Sequence, residues 1–220
     1  MGLEVIILAA GKGTRMHSEL PKVLHKVAGK PMLGHVIDCA KQLSPDAIHV
    51  VIGHGAELVK TELNEEKINW CIQSEQLGTG HAVQQAIPDI NDEQNVLILY
   101  GDVPLLKSET LKVLISDLEN SQLVILSAKL NDPTGYGRIV RKDKKVQRIV
   151  EQKDADEETL NVNEINSGIL ASNASKLKSW LSKTNNHNVQ KEFYLTDCLE
   201  LAVKDQENVE AIICNNGEEI

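Results

Sequence analysis

The chain has 220 residues, 41% of them hydrophobic and 25% charged, with 32 Asp and Glu against 23 Lys and Arg. That balance is ordinary for a folded globular chain, and one of this length can bury about 70% of its unfolded surface without a metal or disulfide staple. A formal net charge of −9 disfavours nucleic acid and anionic membrane as partners, and the six scattered aromatics (Trp70, Trp180, Tyr100, Tyr136, Tyr194, Phe193) form no base-stacking series.

In chain order, Leu3 to Ala9 (LEVIILA) is a continuous apolar run rich in β-branched residues, the pattern of a strand buried on both faces. The longest apolar run, Val5 to Ala10, is six residues, whereas a spanning helix needs about 20; no leader pattern precedes it, so a cytoplasmic chain is expected. A polar loop with Gly11 and Gly13 follows. Pro31 then stands at a first helical position, with Met32, Leu33, Val36, Ile37, Ala40 and Leu43 along one helical face. Residues 47–52, 69–73 and 95–100 read as strands, separated by helices over 56–66 and 79–87. This alternation predicts an α/β fold, a mostly parallel sheet with helices on both faces and right-handed crossovers.

The second half changes character. A helix over 109–119 and a strand over 122–130 precede two short segments, 138–141 and 146–150, whose Lys-Asp-Lys-Lys turn predicts a small antiparallel hairpin. The acidic stretch Asp154 to Glu158 reads as solvated loop. A strand over 164–172, helices over 174–182 and 191–204, and a strand over 208–214 complete the pattern. Cys39, Cys71, Cys198 and Cys214 have no CxxC spacing and sit in apolar segments, as reduced buried thiols do.

Chemistry concentrates after the first strand, at Leu8-Ala9-Ala10-Gly11-Lys12-Gly13-Thr14-Arg15-Met16, with Pro21-Lys22-Val23-Leu24 beyond. Open α/β sheets bind ligands at the carboxyl ends of strands, where a glycine turn lets backbone N–H groups cradle a phosphate. Met16 stands where a dinucleotide fingerprint needs its third glycine, and no GxxxxGK[ST] occurs. Arg15 and Lys22 place positive charge at this turn, which suits a triphosphate; a plain turn with solvated cations would read the same way. Asp102 ends an apolar strand and suits Mg²⁺ bridging substrate phosphates, or else caps a turn in Tyr100-Gly101-Asp102-Val103-Pro104. Gln73 offers a donor and an acceptor, matching O4 and N3–H of uracil, but also fits a strand-end surface residue, as Thr79 fits a helix N-cap. The seven histidines show no paired metal-ligand spacing.

LAAGKGTRM and PKVL are followed, in order, by QSEQLGTGHA (73–82), YGDVPL (100–105), GYGRIV (135–140), IVEQKDA (149–155), EINSG (164–168) and EFYLTD (192–197). Across essentially its whole length the chain resembles the sugar-phosphate nucleotidylyltransferases. In particular it is similar to the uridylyltransferase half of the bifunctional N-acetylglucosamine-1-phosphate uridylyltransferase and glucosamine-1-phosphate acetyltransferase family, GlmU. The resemblance implies one Rossmann-like nucleotidyltransferase domain, with 1–105 mainly nucleotide-binding and 106–220 mainly sugar-binding. It implies UTP and N-acetylglucosamine 1-phosphate as substrates, UDP-N-acetylglucosamine and pyrophosphate as products, and Mg²⁺ held by Asp102. Arg15 and Lys22 would be catalytic. Leu8, Ala9, Ala10, Gly11, Gly13, Lys22, Gln73, Gly78, Thr79, Tyr100, Gly101 and Asp102 would contact the nucleotide, with Gly137, Glu151 and Asn166 around the amino sugar. Without the family, Glu151 reads as a surface strand residue.

The resemblance does not extend to the left-handed β-helix acetyltransferase half, so neither acetyl transfer nor the trimer of the full-length family protein is expected of these residues. Nor does any residue near Asn215 to Ile220 match the Asn that completes the family's magnesium site. A same-fold enzyme with another base or sugar, or a non-catalytic nucleotide-sugar binder, stays open.

Overall fold

In the computed structural model, which describes every residue except Lys12, Thr14, Arg15, Glu65 and Glu66, apolar strands alternate with amphipathic helices through the first hundred residues. The order is β1 (Leu3–Ala9), β2 (Lys26–Val27), β3 (Lys30–Pro31), α1 (Met32–Lys41), β4 (Ala47–Ile52), α2 (Ala56–Leu63), β5 (Asn69–Ile72), α3 (Thr79–Ala86) and β6 (Asn95–Tyr100). Then come α4 (Ser108–Ser116), β7 (Leu123–Lys129), β8 (Arg138–Lys142), β9 (Lys145–Val150), α5 (Glu157–Leu160), β10 (Glu164–Asn173), α6 (Ala174–Leu181), α7 (Asp197–Lys204) and β11 (Val209–Ile213).

The main sheet runs β11-β7-β10-β6-β1-β4-β5. β1 pairs parallel with β4 and β6, and β4 with β5. β10 lies antiparallel to both β6 and β7, and β11 is parallel to β7. This is the expected mostly parallel mixed sheet. The β8–β9 hairpin joins it where Arg138 pairs with Ile165 of β10, and its tight turn uses left-handed backbone at Asp143 and Lys144.

Side-chain parity explains why the central strands are apolar throughout. Val5, Ile7 and Ala9 of β1 point into a layer with α1, α2 and α4, while Ile6 and Leu8 point into the opposite layer with α3, α6 and α7. Val5, Ile6 and Ile7 are wholly inaccessible, and burying a side chain of this size stabilises by about 1.5–3 kcal/mol. Among the described residues, no helix is long and apolar enough to cross a membrane.

Four boundaries depart from the sequence expectations. Residues 191–196 are not helical; α7 begins at Asp197, because the Phe193 N–H donates to the Leu77 carbonyl and its own carbonyl accepts from Gly80, each at 2.8 Å. The loop before α1 contains the two-residue strands β2 and β3, turned by Ala28 and Gly29 at positive φ, so Pro31 ends a strand before the helix starts. The acidic stretch is not all loop: Glu157 and Glu158 open the single turn of α5, capped by the Asp156 carboxylate on the Thr159 N–H. Finally, α2 ends at Leu63 with Asn64 left-handed, and the rest of the expected helix, Glu65 and Glu66, lies outside the described residues.

Candidate active site

Because β1 and β6 are neighbouring parallel strands, their carboxyl ends deliver Leu8 to Ala10 and Tyr100 to Asp102 side by side. The Gly101 N–H donates to the Leu8 carbonyl at 2.9 Å, locking the two ends together. β5 ends nearby and extends into Gln73, whose N–H donates to the Ile52 carbonyl at 2.8 Å. Above these three ends lies a cleft of about 750 Å³ lined by Leu8, Ala9, Ala10, Gly11, Gly13, Lys22, Gln73, Gly78, Thr79, Tyr100 and Asp102, all expected there, and also by Met16, Val23, Gln76, Ala82 and Glu192. Lys22 and Asp102 form an ion pair at the cleft. Gly101 belongs to the floor instead: it is buried and packs behind the strand ends against Leu33, Ala9 and Val23. Arg15 lies outside the described residues.

The Gly78 turn shows why a side chain would not serve here. Its φ is +111°, and a Cβ built on it would fall 2.5 Å from the Phe193 carbonyl oxygen. Thr79 is the first residue of α3 rather than its cap, and its Oγ1 accepts from the Leu195 N–H at 3.0 Å. Gln73 is not a surface residue; it is 3% exposed, with Nε2 donating to the Gly78 carbonyl at 3.1 Å. Burial raises the Tyr100 hydroxyl above its usual titration range, Glu151 adds to this, and a hydrogen bond with Thr79 opposes it.

Gly137, Glu151 and Asn166 line neither this cleft nor the adjoining one, but the structure does bring them together. The Asn166 N–H donates to the Gly137 carbonyl at 2.8 Å, and the Glu151 carboxylate lies across the open side of Gly137. Glu151 is not exposed on a strand; it follows β9, half-buried, and its Oε1 accepts from the Thr196 hydroxyl at 3.0 Å. Burial raises this carboxyl above the usual range, the Thr196 bond opposes that, and Asp154 and Glu192 reinforce it. Gly168 completes the link to the first cleft: a Cβ built on it would stand 2.5 Å from the Tyr100 ring, so the ring packs there only because the residue has no side chain.

A second cleft of about 620 Å³ shares Lys22, Tyr100 and Asp102 and continues over Val103 to Leu105, Thr134 to Tyr136, Ser167 and Glu218 to Ile220. Gln76, Glu192 and Thr196 are not among the residues expected at the site, although all three fall inside the blocks QSEQLGTGHA and EFYLTD, which are the signal that could have found them. Cys39, Cys71, Cys198 and Cys214 are all buried free thiols, as expected, and burial pushes Cys39 up to about 11.

Among the described residues, no group of three or more His, Cys, Asp or Glu side chains could hold a metal ion. Asp102 supplies one carboxylate at the cleft mouth, with Oδ2 engaged by Lys22. That donor set fits a hard cation that brings its own phosphate ligands rather than a protein-built cage.

The profile of the MobA-like NTP transferase domain matches residues 5–159. The chain belongs to that family. As a MobA-like NTP transferase domain it shares its α/β nucleotidyltransferase fold with a protein from Bacillus anthracis described as a glucose-1-phosphate thymidylyltransferase, solved with sucrose. The two superpose with TM-score 0.79 at 18% identity, covering 97% of this chain and 87% of that one. UDP-glucose pyrophosphorylase with UDP-glucose gives 0.76 at 16% identity over 94% and 89% of the two chains. HddC from Yersinia pseudotuberculosis with GMP-PN gives 0.69 at 21% identity over 100% and 95%.

Proposed function

We propose that the protein is a sugar-1-phosphate nucleotidyltransferase that makes UDP-N-acetylglucosamine and pyrophosphate from UTP and N-acetylglucosamine 1-phosphate. The observation that carries this is the convergence of Gly11, Gly13, Lys22, Gln73, Gly78, Thr79 and Asp102 on one cleft, beside the Gly137, Glu151 and Asn166 cluster. The similar folds solved with UDP-glucose and with GMP-PN support nucleotide and nucleotide-sugar ligands of this general kind.

The chemistry needs no general base. A sugar 1-phosphate, with a second pKa near 6 like other phosphomonoesters, is mostly dianionic at neutral pH and attacks the α-phosphorus of the triphosphate in line, expelling pyrophosphate. The protein's tasks are to hold two repelling anions together and to stabilise the charge gathering on the leaving group. Lys22 would exchange its Asp102 partner for phosphate oxygens, Arg15 would meet the pyrophosphate, and N–H groups of the glycine turn would cradle it. Asp102 and the substrate phosphates would hold Mg²⁺, which when bound would neutralise phosphate charge. Gln73 would read the base, and Glu151 and Asn166 would meet sugar hydroxyls.

Pyrophosphate release should be measured for UTP with N-acetylglucosamine 1-phosphate, with and without Mg²⁺, against CTP and glucose 1-phosphate as controls. Magnesium-dependent turnover preferring the first pair by tenfold or more is expected. Preference for another base or sugar would reassign the substrate within the fold, and no turnover with any pair would sink the enzyme reading. Lys22→Ala should lower kcat/KM about 100-fold, and Arg15→Ala should lower kcat more than it raises KM; a normal kcat would remove Arg15 from the mechanism.

A further inference from the structure

Gln73 is nearly inaccessible yet lines the larger cleft, and its neighbours determine which way its amide faces. A primary amide has two donor hydrogens on nitrogen and a carbonyl that only accepts. The atom 3.1 Å from the Gly78 carbonyl must therefore be Nε2, because two acceptors would repel. The same Nε2 stands 3.0 Å from His81 Nδ1, in the first turn of α3. For that contact to be a hydrogen bond, Nδ1 carries the lone pair and the ring proton sits on Nε2 of the imidazole. Both amide hydrogens are thus committed to protein acceptors. Oε1 accepts from no group among the described residues, so it is the polar atom left for a ligand.

Resting on the nucleotide-transfer reading above, the geometry points to His81 as a positioning residue for base selection. By taking the second hydrogen of the Gln73 amide, His81 leaves Oε1 as the group a base meets. Uracil, thymine and guanine carry a ring N–H that can donate to it. Cytosine N3 and adenine N1 are lone pairs and would face Oε1 with no hydrogen between, leaving two acceptors unpaired. This revises the expectation that one amide pairs both O4 and N3–H of uracil: the donor half is already spent on the protein.

Affinities of UMP, TMP, GMP, CMP and AMP for the wild-type chain, His81→Asn and His81→Phe, measured by titration calorimetry, test this without catalysis. The wild type is expected to bind at least one of UMP, TMP and GMP tenfold or more tighter than CMP and AMP. Asn presents an Oδ1 that can accept the same amide hydrogen, so H81N keeps the ratio of the best base to CMP within threefold. H81F, with no acceptor there, leaves Nε2 held by the Gly78 carbonyl but frees its second hydrogen to meet a lone pair such as cytosine N3, and loses at least fivefold of that ratio. A merely structural role would weaken all five ligands together and leave the ratio intact. Equal binding of CMP or AMP by the wild type, no binding of any of the five, or an unchanged ratio in H81F overturns the proposal. Should H81F fail to fold, ¹⁵N NMR of wild-type His81 at pH 8 decides: a bare Nδ1 and protonated Nε2 are expected, and the reverse tautomer overturns it. Failure to make UDP-N-acetylglucosamine with the base ratios preserved would instead count against the substrate assignment alone.

Discussion

Asp197 opens α7 among other carboxylates, and its titration follows from that setting. Burial pushes its carboxyl up to about 6, with Glu200, Glu151 and Asp154 acting in the same direction and Lys204 against them. Between about pH 4 and pH 6 the folded chain therefore keeps a proton that the unfolded chain has released, so this group's contribution to stability falls as pH rises through that window. Above it, a half-buried charge is held beside like charges. Asp197→Asn should stabilise the protein at pH 7.5 by about 1 kcal/mol once solvent screening is allowed for, with the gap closing by pH 4. Urea midpoints at the two pH values check this; equal midpoints at pH 7.5, or a gap unchanged at pH 4, would refute it.

At the scale of elements, the β8–β9 hairpin is fastened by a buried cation. Arg138 is 2% exposed and donates to the Tyr136 carbonyl and to Gln152 Oε1. Gln152 Oε1 also accepts from the Gly135 N–H at 3.1 Å. One guanidinium thus ties the 133–137 loop to the segment after β9, on either side of the Gly137 and Glu151 pair. Arg138→Ala removes the guanidinium bonds to both segments, leaving Gln152 Oε1 only the Gly135 N–H, and should cost about 1.5–3 kcal/mol in chemical denaturation. A loss below 1 kcal/mol would mean the hairpin holds without it.

The hairpin was legible because its turn residues and alternating segments are local signals, and the parallel strands because their apolar runs are unbroken. The segment 191–196 was not. Tyr194, Cys198 and Ala202 recur every four residues and imitate one helical face, while the bonds that keep Phe193 extended reach back to Leu77 and Gly80, more than a hundred residues earlier. The candidate site divides in the same way. The glycine turn, Lys22 and Asp102 announce themselves by chemical type at strand ends, whereas Thr196 orienting Glu151 depends on a contact between distant segments that no local pattern encodes.

Over the whole molecule, the two core layers share one sheet as their common wall, so neither face can be lost alone. Trp180 on α6 is 1% exposed in the layer with α3 and α7, and its indole N–H donates to Asp205 at 3.0 Å. Trp180→Ala should cost about 3–5 kcal/mol, a large share of the roughly 5–15 kcal/mol of a typical domain. It should move the far-UV and near-UV unfolding transitions to lower urea together, because both layers rest on the same strands. Separate midpoints for the two signals would show that the layers unfold independently.

β10 closes that sheet from the middle, antiparallel to both β6 and β7, and this sets a timetable for synthesis. The ribosome completes the four parallel strands first, leaving the apolar edge of Asn95–Tyr100 bare until Glu164–Asn173 has been made. At about 5–20 residues per second, that interval lasts roughly 4–15 s. Throughout it the nascent chain displays an unpaired strand edge to every neighbour on the polysome, which makes β6 the strand from which aggregation would start when the gene is overexpressed.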